Sequence, residues 1–208
     1  MPTVQHRQSE TLAPWAEVVP GATPMTMADF LAYPDGDDGY CYELVDGVLV
    51  RMAGTRPMAG RITRRLQIPL TLYVQERGLG TVTGPDEVYD FERRGQPNTG
   101  LLPDVGFYDV TREPLVDADP TRPYPFAPDL AVEVAGISQR QEALDAKARR
   151  HLAGGTALVW VIWPGRRAVD VWRSRDPQRP VATLGPADIL DGEDVVEGFT
   201  FPVANLFT

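Results

Sequence analysis

Residues 128–152 read PDLAVEVAGISQRQEALDAKARRHL. Two elements of different period lie inside this stretch. Leu130–Val134 is a short apolar run, the pattern of a strand buried on both faces. Residues 138–152 carry a helical pattern that Gly154-Gly155 ends. Alternation along the strand sets Leu130, Val132 and Val134 on one face and Ala131 and Glu133 on the other. Glu133 is therefore an acid inside an apolar run. Lys147, on the helix, is the only lysine of a chain whose other basic residues are all arginine.

Downstream, residues 157–163, ALVWVIW, predict a second buried strand. Residues 167–173, RAVDVWR, alternate and are expected to pair with it across Pro164-Gly165. Gly198-Phe199 and Leu206-Phe207 are expected in short edge elements that close the core. Upstream, Thr26 caps a short helix through Tyr33, and residues 34–39 form a loop. Residues 41–52, CYELVDGVLVRM, place two strand-like arms around Asp46-Gly47, a strong hairpin signal. Ile62, Leu66, Leu70 and Val74 recur every four residues in a helix over 58–77, which Pro69 should kink and Gly78 and Gly80 end. Residues 81–92 and 101–110 read as strands around RRGQPNTG, and 111–127 as a long loop. The order predicts an α/β (α+β) domain with a central mixed sheet. Residues 1–22 are expected to be a loose lead-in, and 23–208 a single domain.

A net charge of −9 argues against non-specific polyanion binding unless arginines gather on one face or a metal bridges the repulsion; solubility is the plainer explanation. No apolar run is long enough to span a membrane, and the first residues lack the apolar core of a secretory signal, so a cytoplasmic protein is expected. Cys41 is the single cysteine, which excludes an intrachain disulfide and a cysteine-rich zinc site; it is expected to be a small buried residue.

A carboxylate on a central strand is costly unless it is paired or binds metal. Asp104, after Pro103, opens a second apolar strand, and two carboxylates on neighbouring strands suit a hard cation such as magnesium. A nearby ammonium would orient or help deprotonate an attacking water, and lysine suits that task because its pKa falls readily on burial. The plainer alternatives are an edge carboxylate, an arginine partner, and a lysine left on a solvated helix. His6 and His151 are the only histidines; His151, one turn after Lys147, reads as structural rather than as a ligand. Trp160, Trp163 and Trp172 read as core or dimer surface rather than a base-stacking platform. Neither a nucleophile elbow nor a phosphate-cradling glycine loop is present.

The ordered set YELVDG at 42–47, LPDV at 102–105, PDLAVEV at 128–134, Lys147 and the closing Gly198-Phe199 with Leu206-Phe207 resembles the Uma-two family of restriction-endonuclease-like proteins, within the PD-(D/E)XK nuclease superfamily. The resemblance spans about residues 25–207. It implies a restriction-endonuclease-like core. By motif, Asp104 matches the aspartate of the first signature and Glu133 the acid of the second. The superfamily lysine lies two residues after that acid, where this chain has Ala135; Lys147 matches a lysine moved to the next helix. Glu43 matches an upstream glutamate, a further ligand or a base-orienting group. The family pattern is departed from at four places: Ala135-Gly136-Ile137 stands in place of a residue and Ser-Pro, Ala143 and Trp163 replace aspartates, and Gly60 replaces a histidine.

The expected function is a metal-dependent endonuclease hydrolysing phosphodiester bonds in nucleic acid, DNA first. Magnesium or manganese would be held by Asp104, Glu133 and the Val134 carbonyl, with Lys147 positioning the water and Glu43 assisting. The alternative is a catalytically weak or inactive nuclease-fold domain with a binding or assembly role, favoured by the acidic charge and the altered flanking residues. A homodimer is expected, because cutting both strands of a duplex calls for two sites related by symmetry.

Overall fold

The computed structural model describes residues 12–33, 39–54, 56–136 and 138–208. Along the chain lie β1 (Glu17–Val18), α1 (Met27–Leu31), β2 (Tyr40–Val45), β3 (Val48–Ala53), α2 (Pro57–Arg77), β4 (Gly80–Thr83), β5 (Tyr89–Asp90), β6 (Gly100–Leu101) and β7 (Val105–Asp109). The second half contains α3 (Glu113–Asp117), β8 (Leu130–Val134), α4 (Gln141–Ala153), β9 (Leu158–Trp163), β10 (Ala168–Arg173), β11 (Ala182–Leu184), β12 (Ile189–Asp191) and β13 (Thr200–Pro202).

The central sheet has six strands in the order β11-β10-β9-β8-β7-β4. It is mixed: β8 and β9, joined through α4, run parallel, and every other pair is antiparallel. Glu133 lies opposite Val161 in the parallel pair. The alternation read from the sequence divides the core into two layers. Leu130, Val132 and Val134 face a layer with Leu158, Trp160 and Ile162, covered by Ile62, Leu66, Leu70 and Val74 of α2 and by Leu190, Phe199, Phe201 and Leu206 of the tail. Ala131 faces the other layer with Val159 and Val161, covered by Ala143, Leu144, Ala148 and Leu152 of α4. That second layer is closed by Val45, Val50, Tyr89 and Leu101 from a five-stranded sheet ordered β1-β3-β2-β6-β5. A helix on each face of the mixed sheet is the expected α/β (α+β) arrangement.

Local signals explain the elements closely. The side chain of Thr26 accepts from Asp29 N while the Asp29 side chain accepts from Thr26 N, a reciprocal cap for α1. Val45 pairs with Val48, leaving Asp46 (φ 49°) and Gly47 (φ 77°) as a two-residue turn with both residues left-handed. α2 runs unbroken through Pro69 and stops at Gly78, which takes φ 62°.

Several expectations differ. The two long strands over 81–92 and 101–110 are each interrupted, because Gly84-Pro85 and Pro103 end their ladders, giving the short β4, β5, β6 and β7. The loop after β7 contains α3. Of the stretch expected to be loose, residues 1–11 with His6 lie outside the described residues, whereas Ala13, Trp15 and Val18 are buried and β1 pairs with β3. Trp160 and Trp172 are fully buried and Trp163 nearly so, which places them in the core. Cys41, expected to be buried, is only partly so.

Candidate functional site

The β2–β3 hairpin, the β8 strand and the α4 helix converge in the layer between the two sheets. Glu43 and Val45 share the inward face of β2, while Leu44 on the other face packs with Phe30 and Leu49. On α4 the inward stripe is Ala143, Leu144, Lys147, Ala148, His151 and Leu152. Lys147 and His151 therefore occupy core positions, one turn apart, directly over Glu133.

Their contacts form one connected cluster. The Lys147 ammonium lies 3.0 Å from Glu43 Oε1 and 2.9 Å from Glu133 Oε2, and donates to the Leu102 carbonyl at 3.4 Å. Glu43 Oε1 also accepts from Leu102 N at 2.9 Å, and its Oε2 accepts from Trp15 Nε1 at 2.8 Å. The second oxygen of Glu133, Oε1, lies 2.8 Å from His151 Nε2. Relative exposures are 0% for Glu43, 4% for Glu133, 3% for Lys147 and 0% for His151. Bulk water does not screen these charges, and the fold depends on their pairing.

Asp104 sits at the edge of this cluster and is partly exposed. Val105 pairs with Val132, so Asp104 continues the β7–β8 register past the last paired residue. Its Oδ2 accepts from Val134 N at 2.7 Å, substituting a side chain for the next rung of the ladder. Desolvation, then the Glu133 charge, pushes the Asp104 carboxyl up to about 7, against the Val134 N–H and Lys147. Burial alone would lower the pKa of Lys147, but Glu133 and Glu43 together outweigh it and hold the group above its ordinary value. The expectation that burial makes this lysine easy to deprotonate is therefore corrected: it is a firmly held ammonium. Burial, then the Lys147 charge, brings His151 down to about 3, which keeps it neutral.

The structure thus brings Glu43, Glu133 and Lys147 into direct contact, with Asp104 and the Val134 backbone adjoining. Among the described residues, no three His, Cys, Asp or Glu side chains are arranged to hold a metal ion by themselves. The donor set nevertheless suits a cation that keeps several waters. Asp104 offers Oδ1 at the rim, and each Glu133 oxygen has a lone pair beyond its one contact. Sequence reasoning did not place three participants in the cluster, although it read His151 as structural. Trp15 gave no signal, since it lies 28 residues from Glu43 in a segment expected to be loose. The Leu102 peptide acts through its backbone, which no side-chain pattern reveals. His151 could have been found from the stripe Ala143, Lys147, His151, whose spacing of four matches a buried helix face.

Among solved structures, a putative nuclease belonging to DUF820 from Anabaena variabilis superposes with a TM-score of 0.72 at 19% identity, covering 88% of this chain and 98% of the other. That likeness extends to the fold. Among curated proteins, nothing matches. No helix among the described residues is long and apolar enough to cross a membrane. The sequence matches the Uma2 family, described as "Putative restriction endonuclease", over residues 27–204, and it is to this family that the chain belongs.

Proposed function

We propose that this protein is a metal-dependent endonuclease that hydrolyses phosphodiester bonds in nucleic acid, with DNA as the first substrate to test. The observation that supports this reading most is the buried Glu43–Lys147–Glu133 cluster with Asp104 at its partly exposed edge. Asp104 and Glu133, with the Val134 carbonyl, would hold magnesium or manganese. A divalent cation there would polarise the phosphate and lower the pKa of a bound water. Lys147 keeps its proton, so its part is to supply fixed positive charge beside the developing negative charge and to orient the water, not to act as base. Glu43 holds Lys147 in place and is itself held by Trp15 and the Leu102 N–H. Two copies about a two-fold axis would present a site to each strand of a duplex; sedimentation analysis tests that part.

A second reading rests on a specific observation. The Lys147 ammonium is already engaged by the protein: it donates to Glu133 and to the Leu102 carbonyl and is ion-paired with Glu43 at 3.0 Å. Such a satisfied cluster also suits a nuclease-fold domain that binds or assembles without cutting. Calorimetric titration with magnesium and with manganese separates the two. The enzyme reading requires binding by the wild type that Asp104→Ala and Glu133→Ala each abolish. Equal binding by all three proteins, or none by the wild type, removes it. Cleavage of DNA and RNA, with Lys147→Ala as control, then identifies the substrate.

A further inference from the structure

We propose that His151 is a positioning residue: its Nε2–H donates to Glu133 Oε1 and holds the carboxylate in the orientation that presents it beside Asp104. This rests on the reading of Glu133 as a metal ligand. His151 is fully buried on α4 and lies 2.8 Å from Glu133 Oε1, while Lys147 lies 2.9 Å from Oε2. One carboxylate is thus gripped at both oxygens by two residues one helical turn apart, which removes its freedom to rotate. Phe91 packs against the ring, with centroids 5.8 Å apart.

The tautomer follows from the surroundings. Nδ1 is buried and has no hydrogen-bonding partner among the described residues. A proton on Nδ1 would leave a buried donor unpaired and turn the bare Nε2 lone pair toward a carboxylate; both are costly. A proton on Nε2 removes both penalties. Partners that orient a ligating side chain from behind commonly change metal affinity by about 10–100-fold.

The test has two readouts. In the His6→Gln background, which leaves a single imidazole, long-range proton–nitrogen NMR of the metal-free protein should show Nε2 protonated and Nδ1 bare, with the Nε2–H resonance moving in Glu133→Gln. An Nδ1–H tautomer, or a resonance indifferent to Glu133→Gln, overturns the proposal whether or not the protein binds metal. In manganese titration, His151→Phe should bind about 10–100-fold more weakly than wild type, while His151→Gln, which retains a donor, should recover most of the loss. His151→Phe binding like the wild type overturns the proposal and leaves the metal reading intact. Failure of the wild type to bind manganese defeats the metal reading instead, and the tautomer then decides whether His151 holds Glu133.

Discussion

At the scale of single residues, Lys147 carries the largest electrostatic consequence. Among the described residues it is the one cation paired with two carboxylates that are almost wholly removed from water. Lys147→Met is expected to destabilise the fold by about 3–5 kcal/mol, because Glu43 and Glu133 would be left buried and unpaired. Adding Glu43→Gln and Glu133→Gln should recover most of that loss, as urea unfolding will show. Asp104 has a pH signature. Its carboxyl is raised from 3.8 to about 7, so the folded state binds its proton more tightly than the unfolded chain. Its contribution is complete below pH 4 and is lost as pH rises through about 7. In the presence of chelator, Asp104→Asn should therefore be more stable than wild type at pH 8, by about 2–4 kcal/mol, with the difference vanishing near pH 4. Equal stability at pH 8 would show that Asp104 ionises without penalty.

At the scale of elements, turn chemistry and close packing divide the work. The β2–β3 hairpin is aimed by Asp46-Gly47, and Asp46 is then anchored to Arg150 of α4 at 2.7 Å and to Thr99 Oγ1, which accepts from the Asp46 N–H at 3.0 Å. The same turn that reverses the chain thus ties the Glu43 strand to the Lys147 helix. In β7, Gly106 makes room for the Thr83–Tyr89 hydroxyl pair, 2.7 Å apart. A methyl group at residue 106 would fall on both of those oxygens. Gly106→Ala is expected to cost about 1–3 kcal/mol and to loosen Tyr89 from the layer above the central sheet, seen as a lower Tm and faster exchange of the β7 amides. The hairpin, the α2 stripe and the β8 strand were legible because each is governed by a short-range period or turn. The breaks near Gly84-Pro85 and Pro103 were under-read, since apolar content on both sides masked the missing donors.

At the scale of the whole molecule, the N-terminal segment is part of the site's support. Trp15 is buried and satisfies the second oxygen of Glu43, and β1 extends the five-stranded sheet. Removing residues 1–22 should lower Tm by several degrees, and Trp15→Phe alone should cost about 1–3 kcal/mol by leaving a buried acceptor unpaired. Unchanged melting of the truncated chain would show that the segment is dispensable.

By itself the sequence determined the two faces of β8, the helix that follows, the hairpin at Asp46-Gly47 and the short list of acids and one lysine capable of ionic chemistry. Those are local matters of period, turn geometry and residue type. Only the tertiary structure decided that Glu43, from 104 positions before Lys147, would reach the same ammonium as Glu133, that His151 and Trp15 would complete the two carboxylates, and that burial among paired charges would keep the lysine protonated. The reason is physical: the energy of a buried charge is set by every group within a few ångströms, and those neighbours are assembled by sheet order and layer packing, not by adjacency along the chain.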